Sequence, residues 1–457
     1  MRRYLHILFL QVIVCVVFSS CAKFLEEKSN DSLAIPTTLS DFQAMLNQFG
    51  HMNVDFIAAG EASADDYYIS DDVFDALYYE SEKRLYTWQA DYVTRPMSSG
   101  GDEWYNCYRA IYICNSVLLG LEDNKLSGPQ ADNVRGQALV FRAFRYLDGV
   151  QVWAPAYDKS TAHEDLGMVL RVDPDMNLVV PRSSVQETYD LIIRDLMEAV
   201  QLLPVVQPGA SMPSKSLAYS LLSRTHLYMG NYDEALFYAE KAIENSDTQL
   251  LDFNSLDPEQ RYPIPAVLNI SIESMFFSAS YFLELIKQQN AKIDTTLYSM
   301  YEEGDLRKLI YFGENADGSQ FFKGSFLGAN GNTNTPTPSE LYLIVAECHA
   351  RQGNLEESEK ALNELLITRW SSDSFSPVSF NNKDDALKKV LDERRKELVM
   401  RGLRWADIKR LNRDGANIEL KRIVKGEEFV LRANDLRYAI ALPESVIELG
   451  GLVQNPR

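Results

Sequence analysis

Tyr219-Ser220-Leu221-Leu222-Ser223-Arg224-Thr225-His226-Leu227-Tyr228-Met229-Gly230-Asn231-Tyr232-Asp233-Glu234-Ala235, continued through Ala239 and Ala242 to Ile243, is the stretch that decides the fold. Its apolar residues recur at helical spacing on both sides of Gly230-Asn231, so it predicts two helices joined by a tight turn. Laid on Tyr342–Leu366, the segment repeats itself: Tyr219 falls on Tyr342, His226 on His349, Gly230-Asn231 on Gly353-Asn354 and Glu234 on Glu357. Gly230 and Gly353 are expected to end the first helix of each pair, and small residues to stand where the two helices approach. Two such units in one register predict a stack of helical pairs, each burying its faces on its neighbours.

The unit follows the tetratricopeptide pattern. Further helices are predicted over 103–121, 133–153 and 184–203, the last two stopped by Pro155 and Pro204. The hairpins 103–151 and 184–229 read as divergent copies, so the repeats occupy about 103–246 and 339–413. Ser40 with Gln43 forms a capping-box signature that opens a helix before them. Residues 50–99 and 248–338 lack periodicity and carry aromatic pairs, Pro263, Pro265 and the loop Gly331–Pro336. They predict irregular, loop-rich regions with loops on one face. Short extended runs are expected at Glu428–Leu431 and Tyr438–Leu442. The fold class is therefore mostly α: a tetratricopeptide-like scaffold, an irregular lobe and a few short strands.

The chain begins with Arg2-Arg3 and an apolar run, Ile7 to Phe18, shorter than the roughly 20 residues that span a bilayer. This is the pattern of an export signal over 1–20. Ser19-Ser20-Cys21 resembles a lipobox, which places a lipid on Cys21, a tether over 21–39 and one domain over 40–457. A multiply acylated cysteine anchors stably where one chain does not. The formal charge is −20 at pH 7, which repels phosphate backbones and argues against nucleic acid as a partner. Cys107 and Cys114 lie about 10 Å apart along one helix, too far for a disulfide. With Cys348 they are expected in the core.

Four stretches resemble the SusD/RagB family. Residues 136–153 open with Gly136-Gln137-Ala138-Leu139-Val140-Phe141-Arg142-Ala143. The second is Glu340-Leu341-Tyr342-Leu343 with Ala346-Glu347. The third is the block Glu393-Arg394-Arg395-Lys396-Glu397-Leu398 followed by Gly402-Leu403-Arg404-Trp405-Ala406-Asp407, and the last is the ending Leu442-Pro443 to Asn455-Pro456. The sequence departs from the pattern at Arg401, where the family usually has an acid, and near Gly450-Gly451. The resemblance implies a nutrient-capture lipoprotein of the Bacteroidetes outer membrane, facing the cell exterior. It further implies that the protein binds an oligosaccharide or a peptide and delivers it to a SusC-like, TonB-dependent barrel. A repeat scaffold that only assembles other envelope proteins is the alternative. The block at 393–410 reads as an amphipathic helix pair whose Glu393, Arg394, Arg395 and Arg404 form a partly buried charge network.

Catalytic chemistry is sparsely represented. The five histidines are His6, His51, His163, His226 and His349, and His226 and His349 occupy packing positions of the repeat. No metalloprotease, nucleophile-elbow or phosphate-loop motif is present, so no cofactor and no enzyme activity are expected. Asp65-Asp66 and Asp71-Asp72 suit solvated loops or a structural Ca²⁺. Aromatic residues make up 11% of the chain, and many fall outside the helical stripes. Trp88, Tyr67, Tyr68, Tyr78, Tyr79 and Tyr92 lie where the family places ligand-facing loops, and Tyr281 and Phe322 lie in the second irregular region. Flat rings offer sugars or apolar peptides broad contact at low entropic cost, so these eight are the expected ligand-binding residues.

Overall fold

The computed structural model describes residues 35–91, 102–266, 271–324 and 326–457. Cys21, Tyr92, the signal and most of the tether lie outside the described residues. The first helix, α1 (Leu39–Leu46), is capped by Thr38 and Asp41 rather than by Ser40 and Gln43. The Asp41 carboxylate accepts the Thr38 N–H at 2.9 Å, a reciprocal pairing that Gln43, two residues further in, is not placed to make.

Nine longer helices follow: α2 (Glu103–Asp123), α3 (Pro129–Trp153), α4 (Val185–Leu202), α5 (Lys215–Met229), α6 (Tyr232–Glu244), α7 (Pro338–Gln352), α8 (Leu355–Leu366), α9 (Lys383–Glu397) and α10 (Arg404–Arg413). Helices α2 to α8 pack each on the next in order, and α9 lies chiefly against α7. Helix α3 begins earlier than its apolar stripe because Pro129, with φ preset, occupies its first turn. Helix α4 starts from a Ser184–Glu187 capping box. Gly230 and Gly353 close α5 and α7 in the left-handed conformation, at φ 79° and 83°. Each turn is sealed alike, Asn231 N–H to the His226 carbonyl and Asn354 N–H to the His349 carbonyl, both 2.9 Å.

The two repeats also share an interhelical bond with its roles exchanged. In the first, Ser223 on α5 donates to the Ala235 carbonyl on α6 at 2.8 Å. In the second, Ser358 on α8 donates to the Ala346 carbonyl on α7 at 2.9 Å. Positions 223 and 346 are equivalent, as are 235 and 358. One side of the contact must be a hydroxyl and the other small, whichever helix supplies it. Cys107, Cys114 and Cys348 are free and buried.

Outside the stack the chain is held by three small antiparallel ladders. They are β1 (Tyr67–Tyr68) with β2 (Lys292–Ile293), β3 (Phe312–Glu314) with β4 (Gln320–Phe322), and the hairpin β5 (Leu420–Val424) with β6 (Glu427–Leu431). The run Tyr438–Leu442 is not a strand. Its backbone leaves a 3-10 turn, Leu436–Tyr438, and docks on the end of α3, with Ile440 N–H bonded to the Val152 carbonyl at 2.9 Å.

The helix pair α9–α10 ties these parts together through buried ions. Glu393 accepts Arg307 at 2.5 Å, Lys396 reaches Asp305 at 2.8 Å, and Glu397 and Glu273 hold Arg369. Arg394 and Arg410 share Asp407 at 2.8 and 2.7 Å, and Arg410 also grips Glu347 of α7 at 2.6 and 2.8 Å. The expected network exists, but most of its partners come from elsewhere in the chain. Arg401 departs from the family acid for a local reason: it donates to the Thr333 and Thr335 carbonyls at 3.1 and 2.6 Å and covers the Phe326 ring.

Candidate functional site

The two irregular regions, far apart in sequence, fold into one lobe. Besides the β1–β2 ladder, the Tyr281 N–H donates to the Phe56 carbonyl at 2.6 Å and Asp294 N–H to the Asp66 carbonyl at 2.9 Å. The Glu82 carboxylate accepts the Leu285 N–H at 3.1 Å, and Gln288 donates to the Phe322 and Lys323 carbonyls at 3.0 and 3.1 Å. Within the described residues, the two irregular regions are thus tied together by backbone and side-chain hydrogen bonds.

The lobe sorts its aromatic rings into two groups. Tyr78 is 86% exposed and meets Tyr79 edge to face at 4.9 Å. Tyr68, Tyr79 and Tyr281 are half-buried, and Phe282 is exposed with the Lys287 ammonium 4.3 Å from its ring centre. Lys292 and Asp317 pair beside them at 2.5 Å, and that lysine holds the Asp317 carboxyl well below its ordinary range. These rings and charges expose apolar faces next to polar groups.

The second group corrects the expectation drawn from the sequence. Trp88, Tyr67 and Phe322 are buried, Trp88 to 4% exposure. The Trp88 indole N–H donates to the Ser63 carbonyl at 3.0 Å, and the Tyr67 hydroxyl to the Ala62 carbonyl at 2.6 Å. Trp88, Tyr86 and Tyr67 surround the Arg422 guanidinium at 4.8, 3.9 and 5.2 Å. Arg422 in turn donates to the Tyr86, Ala62 and Ala64 carbonyls. The rings expected to face a ligand enclose a cation of the protein itself, while Phe322 packs with Tyr311 and Phe312. Phe282 stands in an aromatic pair with Tyr281, and only its exposure in the lobe distinguishes it as a contact residue.

The aspartates Asp65, Asp66 and Asp71 are engaged by the protein's own groups. Asp65 turns inward and takes a bidentate bond from Arg404 at 2.7 and 3.0 Å, and Arg395 lies 3.1 Å from Asp65 and 3.4 Å from Asp66. Asp71 and Asp72 sit in the first turn of the short helix Asp71–Ala76, where the N-terminal dipole favours acids. Asp71 also accepts the Lys425 N–H. Among the described residues no group of His, Cys, Asp or Glu is placed to hold a metal. Buried beside Asp65, the Glu61 carboxyl is pushed up to about 8, first by burial and then by Asp66. Asp66 rises to about 6 for the same leading reason, and the arginines hold Asp65 low.

Fold and lobe together define a class: a tetratricopeptide-like helical scaffold that presents an aromatic loop face to one side. Residues 23–227 match the profile of a family described as "starch-binding associating with outer membrane", and residues 329–440 that of the SusD family. The chain belongs to the SusD/RagB family. SusD-like protein P38 of Formosa agariphila is 24% identical over 378 residues, covering 68% of this chain and 72% of that protein. A putative sugar binding protein from Bacteroides vulgatus superposes with a TM-score of 0.74 at 22% identity, covering 93% of this chain and 99% of that one. A surface glycan-binding protein A from Bacteroides fluxus superposes with a TM-score of 0.68 at 15% identity, covering 92% and 100%.

Proposed function

We propose that this protein is an outer-membrane, surface-facing glycan-binding lipoprotein, anchored through Cys21, that captures an oligosaccharide and passes it unaltered to a SusC-like, TonB-dependent barrel. The observation that carries the binding role is the set of exposed and half-buried rings of the lobe, Tyr78, Tyr79, Tyr281 and Phe282, beside the buried rings around Arg422. Family membership supports the compartment and the ligand class. A scaffold that only assembles other proteins has no use for such a ring set, which weighs against that alternative.

Calorimetry against a panel of plant, algal and host oligosaccharides tests the reading. Tyr78→Ala should weaken binding by about 1–3 kcal/mol, as loss of one stacked anchor does, with an unchanged melting temperature because the ring is exposed. If no glycan binds the wild type, or if glycan is cleaved above background, the proposal fails. Cys21→Ala should release the protein from membranes; a variant that still fractionates with them argues against the anchor.

A further inference from the structure

Away from the loop face, a groove of about 640 Å³ runs along the outer side of α2. Trp104, Tyr105, Tyr108 and Tyr112 form its floor, the loop 169–180 one wall, and the helix Glu444–Gly450 with Leu452 the other. Val179 is 89% exposed and Leu449 90%, and Tyr105, Tyr112 and Met176 are exposed as well. Single exposed apolar side chains are ordinary, whereas a contiguous patch marks a contact surface.

The chemistry of the groove selects among occupants. Three of its polar side chains, Asn115, Tyr108 and Arg171, are engaged by the protein's own backbone. Asn115 donates to the Arg171 carbonyl at 3.0 Å, and the Tyr108 hydroxyl pairs with both backbone groups of Val169 at 3.0 Å. Arg171 donates to the Asp175 and Leu178 carbonyls at 3.2 and 2.8 Å. A sugar would find few free partners for its hydroxyls. The lining is rich in Trp, Tyr and Met and holds Arg but neither Lys nor Glu; its charged acids are Asp102 and Asp173, so it comes close to the composition of an interface centre. Exposed acids stand around it: Asp173, Asp175, Glu444 and Glu448. Of the nearby cations, Arg171 is bonded as described, and Arg109 lies 3.9 Å from Asp55 and over the Tyr105 ring. An acidic rim repels anionic lipid and an identical acidic rim on a second copy, and it attracts Lys and Arg.

We infer that the groove is a docking surface for a segment of a partner protein that is apolar through its middle and flanked by Lys or Arg. This surface is separate from the glycan face and independent of what that face captures. The test selects a random displayed-peptide library on the mature chain and counter-selects on the double variant Val179→Glu/Leu449→Glu, whose near-complete exposure leaves the fold intact. Enriched peptides should carry apolar centres and basic flanks and bind the double variant at least about tenfold more weakly. They should also weaken as salt is raised to about 1 M, where the Debye length falls to about 3 Å. No enrichment, acidic or polar consensus peptides, or equal binding to the variant would overturn the inference. So would displacement of the peptides by oligosaccharide, or a concentration-dependent dimer in sedimentation that the double variant abolishes.

Discussion

Trp88 shows how far residue type alone carries a functional assignment. A tryptophan in an aromatic, aperiodic stretch is equally suited to a ligand platform and to a cage around a buried arginine. Composition is the same in both cases, and only the position of Arg422, more than 300 residues away in sequence, separates them. Trp88→Ala should therefore lower stability by about 3–5 kcal/mol, the usual cost of a large buried ring. Chemical denaturation measures this, and glycan affinity of the folded fraction should be unchanged. Arg401 makes the same point for charge. It satisfies two carbonyls of the 331–336 loop, so Arg401→Glu, which restores the family's usual acid, would set a carboxylate against them. The expected loss is about 3–5 kcal/mol, as for other buried ions deprived of partners, read from the denaturation midpoint.

At the level of elements, the sequence was most informative where periodicity and turn chemistry agreed. The glycine ends of α5 and α7, the Ser184 start of α4 and the register of the two repeats were all legible, because local backbone preferences dictate them. A Cβ on Gly353 would meet nothing within 4 Å, whereas one on Gly230 would come within 3.1 Å of the Arg413 guanidinium. Gly353→Ala should thus cost about 1 kcal/mol, from the left-handed backbone alone. Gly230→Ala should cost more, because Arg413 must also shift from the Tyr228 carbonyl it binds at 2.7 Å. Urea titrations of the two variants side by side check the order. Caps displaced by two residues, as at Thr38, and a terminal run that docks without becoming a strand are events decided by neighbours. Local preference does not record them.

For the molecule as a whole, the buried ions at α9–α10 join the helical stack to the loop lobe and set its response to pH. Glu61, raised to about 8, stays protonated in the native state while an unfolded carboxyl, near 4.5, has ionised. Over that window the native state binds more protons, so stability falls as pH rises from about 4.5 to about 8. Asp66, raised to about 6, acts with the same sign over a narrower range. Glu347, lowered to about 2 by Arg410 despite burial, acts oppositely: its contribution is present above about 4.5 and is lost as pH falls toward 2. Thermal melts should show declining stability from mildly acidic pH to pH 8. Glu61→Gln, which can still accept the Gly402 N–H that the native carboxyl holds at 2.7 Å, should flatten that decline and melt above the wild type at pH 8. A wild-type melting temperature that rises across this interval would contradict the assignment.

By itself the sequence determined the helical repeats, their register, the family and the two irregular regions outside the repeats. Each rests on signals carried within a short window or a motif: spacing of apolar residues, a glycine at a helix end, a charged block. Only the tertiary structure decided which rings of the lobe meet solvent, that Asp65 and Asp66 pair with arginines, and that α2 bears an open apolar groove. Burial and ion pairing are properties of what the rest of the chain brings alongside a residue. Tyr78 and Trp88, ten residues apart in similar company, end on opposite sides of the surface because Arg422 and Ser63 lie beside only one of them.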